Sequence, residues 1–339
     1  MSESNVTCHD ILAANYTVTG IRQDAGVTQP VVITGTYSKP PQAMLYRGPL
    51  YPTDGSGYFY PIPRLNGQDA SSSVFYGPNT PLFDPRIGAG NVRAVGSYKI
   101  EGSPLDHGMM YEGDFDGSGQ WTPIDVPEQV AGGTVANTLA HSTMGDLVVG
   151  NYDIAGKPGS GNGFVYNIKT RTFTALRIGD LATAYGVWQN GDSSSSSYTI
   201  AGGYKSGNGI NVGFLVDYDA RSGAFGGTGD FTFDNKPDVV THFEGITGVP
   251  GGYTLAAMYK APGQKELAVA FAAVKRRPDG SFAPATWVEI SGPATQGLLT
   301  GNSILGNNLV GIYQPASGGI QSYLAVVEDV TTSRRAMTG

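Results

Sequence analysis

Four histidines are the side chains of this chain best suited to moving protons near neutral pH: His9, His107, His141 and His242. One of them lies in the stretch His242-Phe243-Glu244, where a carboxylate follows two residues on. In an extended strand that spacing puts both side chains on one face. A carboxylate beside an imidazole orients the ring and supports general acid–base catalysis. His141 and His242 are therefore the candidate acid and base. Glu244 would orient or charge one of them, and Tyr185 and Tyr76 would donate hydrogen bonds. The same residues also suit packing or ligand binding without catalysis, because no motif of fixed spacing accompanies them.

A repeat supplies the elements that must position these groups. Gly-x-Tyr ends a short apolar segment at Tyr37, Tyr98, Tyr152, Tyr204 and Tyr313, and Tyr259 follows the same pattern with Ala257 for Gly. By subtraction the steps between these tyrosines are 61, 54, 52, 55 and 54 residues. Each unit reads as four short strands, and six such units predict an all-β, six-bladed β-propeller in one domain. The blades are expected at approximately 13–70, 71–133, 134–180, 181–238, 239–298 and 299–339. The last unit has no clear fourth strand, and the orphan segment 8–13 is expected to close it from the N-terminus. The shared Gly and Tyr read as frame, so function is expected where the blades differ.

The blades differ most in the segment before each Tyr strand. Aligned on Gly20, Gly77, His141, Gly186, Gly245 and Ser303, the preceding residues are Thr19, Tyr76, Ala140, Tyr185, Glu244 and Asn302. Three before lie Thr17, Val74, Thr138, Thr183, His242 and Thr300. If these segments are the innermost strands, His141, His242, Glu244, Tyr76, Tyr185 and Asn302 converge on the axial funnel, with Thr19 and Trp188 as further ligand contacts.

Composition agrees and excludes other classes. The 339 residues include 50 Gly and 21 Pro, which suits short strands joined by tight turns. The net charge is −7, and the basic points Lys275-Arg276-Arg277 and Arg334-Arg335 are too small for a nucleic-acid face. The single Cys8 rules out an internal disulfide and cysteine-based metal sites. No apolar run is long enough to span a membrane as a helix. The polar start predicts a cytoplasmic chain, with a secreted mature chain that has lost its leader as the alternative. The loops Ser160 to Gly163, Ser206 to Gly209 and Gly191 to Tyr198 read as surface turns, as does the faintly calcium-loop-like Asp114 to Gly119.

The text "LVVGNYD…GNGFVYNIKTRTFTAL", with "NVGFLVDYDARSGAF" and "QWTPIDVP", resembles the extracellular HAF-type repeats of bacterial proteins over residues 107–235. That resemblance implies a propeller and an origin outside the cytoplasm, and brings no catalytic residues with it. The leading functional expectation is a small-molecule lyase, isomerase or hydrolase needing no cofactor. One alternative is a carbohydrate-binding or protein-interaction propeller. Another is a Ca²⁺-dependent hydrolase of the lactonase or esterase kind, with Glu244, Asn302 and Asn137 as oxygen ligands.

Overall fold

The computed structural model describes residues 6–24, 30–38, 41–51, 56–65, 67–157, 161–293 and 297–328. Asn5, Ser160 and the Arg334-Arg335 tail lie outside the described residues. Six four-stranded antiparallel sheets form a β-propeller. From the axis outward, the first blade is Tyr16–Gln23, Val31–Ser38, Pro41–Gly48 and Tyr58–Phe59. Blades two to five begin at the innermost strands Ser72–Asn79, Val135–Met144, Asp180–Gln189 and Val240–Val249. The sixth runs outward from Ser303–Leu305 through Asn308–Tyr313 and Gln321–Val327 to the N-terminal strand Val6–Ile11.

The expected closure is present: Val6 faces Val327 and Ile11 faces Ser322 across an antiparallel ladder. The Ser322 hydroxyl also accepts from Val18 N at 2.9 Å and donates to Tyr16 O at 2.8 Å, tying the sixth blade to the first. Apolar side chains of adjacent blade faces interdigitate, as Leu147, Val149 and Val165 do with Ala184, Val187 and Ile200. The hydrophobic core is thus a set of layers between blades. Among the described residues no helix is long and apolar enough to cross a membrane.

The repeated Tyr braces the width of each later blade. Tyr204 donates to Asp230 at 2.7 Å, Tyr259 to Glu289 at 2.7 Å and Tyr313 to Asp10 at 2.8 Å. In each case the phenol on the second strand reaches a carboxylate on the outermost one.

The repeated Gly answers a different need. Each innermost strand carries a β-bulge, where one residue is left unpaired against its neighbour strand. The register skips between Val18 and Gly20, Phe75 and Gly77, Ala140 and Ser142, Ala184 and Gly186, and Phe243 and Gly245. In the sixth blade Asn302 N donates to Val310 O, while Val310 is also the partner of Ser303. In every blade but the fifth, where Ala257 takes the glycine position, the bulge drives a carbonyl onto a second-strand glycine. A Cβ on Gly35, Gly96, Gly150, Gly202 or Gly311 would stand 2.0, 1.9, 2.1, 1.9 or 1.8 Å from the oxygen of Thr17, Val74, Leu139, Thr183 or Thr300. Only Gly admits such an approach.

Overpacking against backbone costs about 1–3 kcal/mol. Gly150→Ala is therefore expected to lower the unfolding free energy by that much, read as a lower denaturation midpoint. Gly207→Ala, with nothing within 4 Å of its Cβ position, should stay within about 0.5 kcal/mol of the parent. Equal midpoints for the two variants would refute the bulge–glycine coupling.

Candidate functional site

A bulge re-aims a side chain, and here it turns one residue per blade toward the axis. Thr19, Tyr76, His141, Tyr185, Glu244 and Asn302 all line one axial cavity of about 210 Å³. Tyr185, Glu244 and Asn302 also line a second cavity of about 480 Å³, with His242, Thr300 and Leu267. The second cavity lies where the innermost strands begin. The first extends to where they end, at Ile21, Arg22, Pro78 and Ile246. Part of the ring of bulged residues thus borders both cavities, the second of which is lined by blades four to six alone.

The third blade corrects the sequence alignment. His141 is the bulged residue, in register with Tyr76 and Tyr185, and Ser142 takes the place of the glycine. That glycine position is tight because the next blade's inner strand passes close by. A Cβ on Gly20 would lie 2.2 Å from Tyr76 O, and one on Gly77 2.6 Å from His141 O. The close approach narrows the channel and brings neighbouring side chains into contact.

The rings form a continuous arc. Tyr76 and His141 have centroids 4.7 Å apart, His141 and Tyr185 4.2 Å, and Tyr185 and His242 4.6 Å edge-on. The His242 imidazole is pinned at both nitrogens. Nε2 is 2.9 Å from the Thr183 hydroxyl, which also lies 3.2 Å from Gly203 O. Nδ1 is buried and lies 3.0 Å from Glu244 Oε1, a close charge contact without the alignment of a hydrogen bond. Gly203 makes the slot for this ring, since a Cβ there would stand 2.2 Å from His242 Cδ2.

Burial sets the protonation of the arc. It pushes the His141 pKa from 6.5 down to about 3, with the charge on His242 adding to the effect. His141 is therefore a neutral imidazole at physiological pH. Burial also raises the Tyr185 phenol far above its ordinary value, reinforced by the Glu244 charge and tempered by a hydrogen bond with Asn151. Tyr76 is raised by burial in the same way. Both phenols stay protonated; Tyr76 shares a hydrogen bond with Ser97 and Tyr185 one with Asn151.

The remaining expected residues divide. Thr19 lines the cavity, but its hydroxyl is committed to Phe75 O at 2.5 Å. Asn302 donates from Nδ2 to Val18 O at 2.6 Å, which leaves its Oδ1 as an acceptor. Asn137 lines neither chamber: its Oδ1 accepts from Asp106 N at 2.9 Å and its Nδ2 reaches Asp153 at 3.3 Å. The three-residue calcium set therefore does not assemble, leaving one carboxylate and one amide oxygen where Ca²⁺ takes six or more oxygens. Among the described residues no group of three or more His, Cys, Asp or Glu is placed to hold a metal ion. Trp188 also faces away from the chambers. It packs edge-on against Phe83 at 5.5 Å and under the Arg22 guanidinium at 5.4 Å.

Sequence reasoning missed Arg22 and Gly203, and aligned Thr183 with His242 without giving it a role. The available signal was a charged residue in the apolar run "YTVTGIRQ", and a second Gly beside the repeated one in "AGGY".

No protein-family model matches the sequence, and no curated protein matches it. Solved structures of similar shape include a neuraminidase-like protein of A/flat-faced bat/Peru, at 9% identity and a TM-score of 0.47, covering 97% of this chain and 95% of that one. A beta-1,2-mannobiose phosphorylase from Listeria innocua has 11% identity and a TM-score of 0.40, covering 94% and 90%. The arabinanase of Bacillus subtilis has 12% identity and a TM-score of 0.32, covering 71% and 91%. At these identities and scores none of their activities transfers to this chain.

Proposed function

We propose that the axial chambers bind a small polar molecule and that Glu244 transfers a proton to or from it. The observation carrying this reading is the Glu244 carboxylate, which borders both chambers beside His242 and opposite neutral donors. This assignment differs from the sequence expectation, which gave proton transfer to the two histidines. Both His242 nitrogens face protein groups, so His242 acts through Glu244 as a positioning residue. His141 is too weak a base at a pKa of about 3 and serves as a neutral hydrogen-bonding group. The Tyr76 and Tyr185 phenols are placed to hydrogen-bond an oxygen that gains negative charge as the proton leaves. Such preorganised donors in a water-poor site stabilise an oxyanion strongly. The reaction class that fits is proton abstraction next to a carbonyl or hydroxyl-bearing carbon, as in a lyase or isomerase.

The test is deuterium uptake from D₂O into small hydroxy and keto compounds, followed by NMR. Glu244→Gln is expected to slow exchange by about 10²–10⁴-fold, the usual worth of a general base. Tyr185→Phe should slow it by about 10²-fold, the loss of one oxyanion donor. Undiminished exchange in Glu244→Gln would sink the reading. A compound that binds without exchanging would favour a carbohydrate- or metabolite-binding protein.

Gly203→Ala is expected to displace the His242 ring and to match His242→Asn in activity and in the pH dependence of exchange. Wild-type behaviour of Gly203→Ala would remove His242 from the machinery.

His141 adds a pH dependence of stability. Unfolded, the imidazole takes up a proton below its ordinary pKa of 6.5; folded, it does so only near 3. Between those values the unfolded chain binds more protons, so stability falls as pH is lowered through that window. Thermal melts from pH 7 to pH 4 should show a shallower acid decline for His141→Gln than for the parent. Parallel declines would contradict the buried neutral imidazole.

A further inference from the structure

Arg22 is the one charged group of the axial cavity that the proton-transfer reading leaves unused. It lines the chamber at the end away from His242 and is only 5% exposed. Its Nε donates to Pro78 O over a long 3.4 Å, and its Nη1 finds no hydrogen-bond partner. The nearby carboxylates are committed elsewhere: Asp24 pairs with Arg47 at 2.7 Å, and Asp84 with Arg86 at 2.7 Å and Arg93 at 2.9 Å. The guanidinium instead lies against the adjacent rings of Phe83 at 5.9 Å and Trp188 at 5.4 Å, which pack edge-on to each other. Aromatic rings attract a guanidinium without accepting its N–H hydrogen bonds in the way a carboxylate does. Burial lowers its pKa only to about 10, so the cation persists at neutral pH. A buried cation without a counter-charge is strongly unfavourable unless something pairs with it.

We propose that Arg22 is the receptor for an oxyanion, a carboxylate or a phosphate, carried by the molecule that occupies the axial cavity. Planar donors in a fork suit either group. The ligand is then bipolar: its anionic end meets Arg22, and its hydroxyl or carbonyl end meets the ring of Tyr76, His141, Tyr185 and Glu244. A chamber of about 210 Å³ limits it to a small acid or phosphate ester. This inference names the ligand class for the site proposed above, yet the binding itself does not require that Glu244 transfer a proton.

Calorimetry with succinate and with inorganic phosphate tests it on the full chain. Wild-type protein should bind at least one of them saturably, and the preferred anion identifies the group. Arg22→Gln should weaken that binding by about 10–100-fold, the worth of a charge-assisted hydrogen bond. Lys236→Gln, which removes an exposed cation lining neither cavity, should bind as the wild type does, and reading binding apart from deuterium exchange separates anion recognition from proton transfer. Absence of binding to the wild type, or unchanged binding in Arg22→Gln, would overturn the proposal. Should Arg22→Gln fail to fold, a bromide soak of wild-type crystals decides: an anomalous peak beside the guanidinium supports it, and bromide only elsewhere refutes it.

Discussion

A carbonyl pressed onto a glycine is the contact on which the rest of this molecule depends. Each innermost strand bulges by one residue, and in five blades the carbonyl two residues before the bulged one is pressed against a glycine of the second strand. In five blades a Cβ at that position would collide with the carbonyl, so the bulge there calls for glycine. The fifth blade departs from the pattern, with Ala257 in the glycine position beneath His242 and Glu244. The frame and the site are therefore linked residue by residue.

Desolvation then differentiates groups that the fold treats alike. Six bulged residues sit at equivalent points, yet their chemistry runs from a neutral imidazole through two protonated phenols to a carboxylate. The cation of Arg22 and the carboxylate of Glu244 border the same cavity, and the cavity walls keep water from screening them fully. Charge of both signs around one small cavity is the arrangement that selects a bipolar ligand and fixes its orientation.

Much of this was legible in the sequence, because a repeat of near-constant length shows its register. The tyrosine spacing led to six blades, to closure by the N-terminal strand, and to the ring members Thr19, Tyr76, Tyr185, Glu244 and Asn302. The exceptions have physical causes. His141 was shifted by one because Ser142 replaces the glycine that marks the bulge elsewhere, and period-two counting takes no account of an unpaired residue. Thr138 moved with that error, and Leu139 holds the register position of Thr183 and His242. Trp188 was read as a ligand contact because alternation along the strand says nothing of a ring that packs across to Phe83 and Arg22. Arg22 was passed over because a charged side chain normally ends in solvent, and only the packed structure shows that this one does not.

The most direct measurement is a crystallographic fragment screen with small hydroxy and keto acids. The account predicts density on the axis, touching Arg22 at one end and Glu244 with the Tyr76 and Tyr185 phenols at the other. Fragments found only at the blade rims, with the axial chambers bare at saturating concentration, would contradict it.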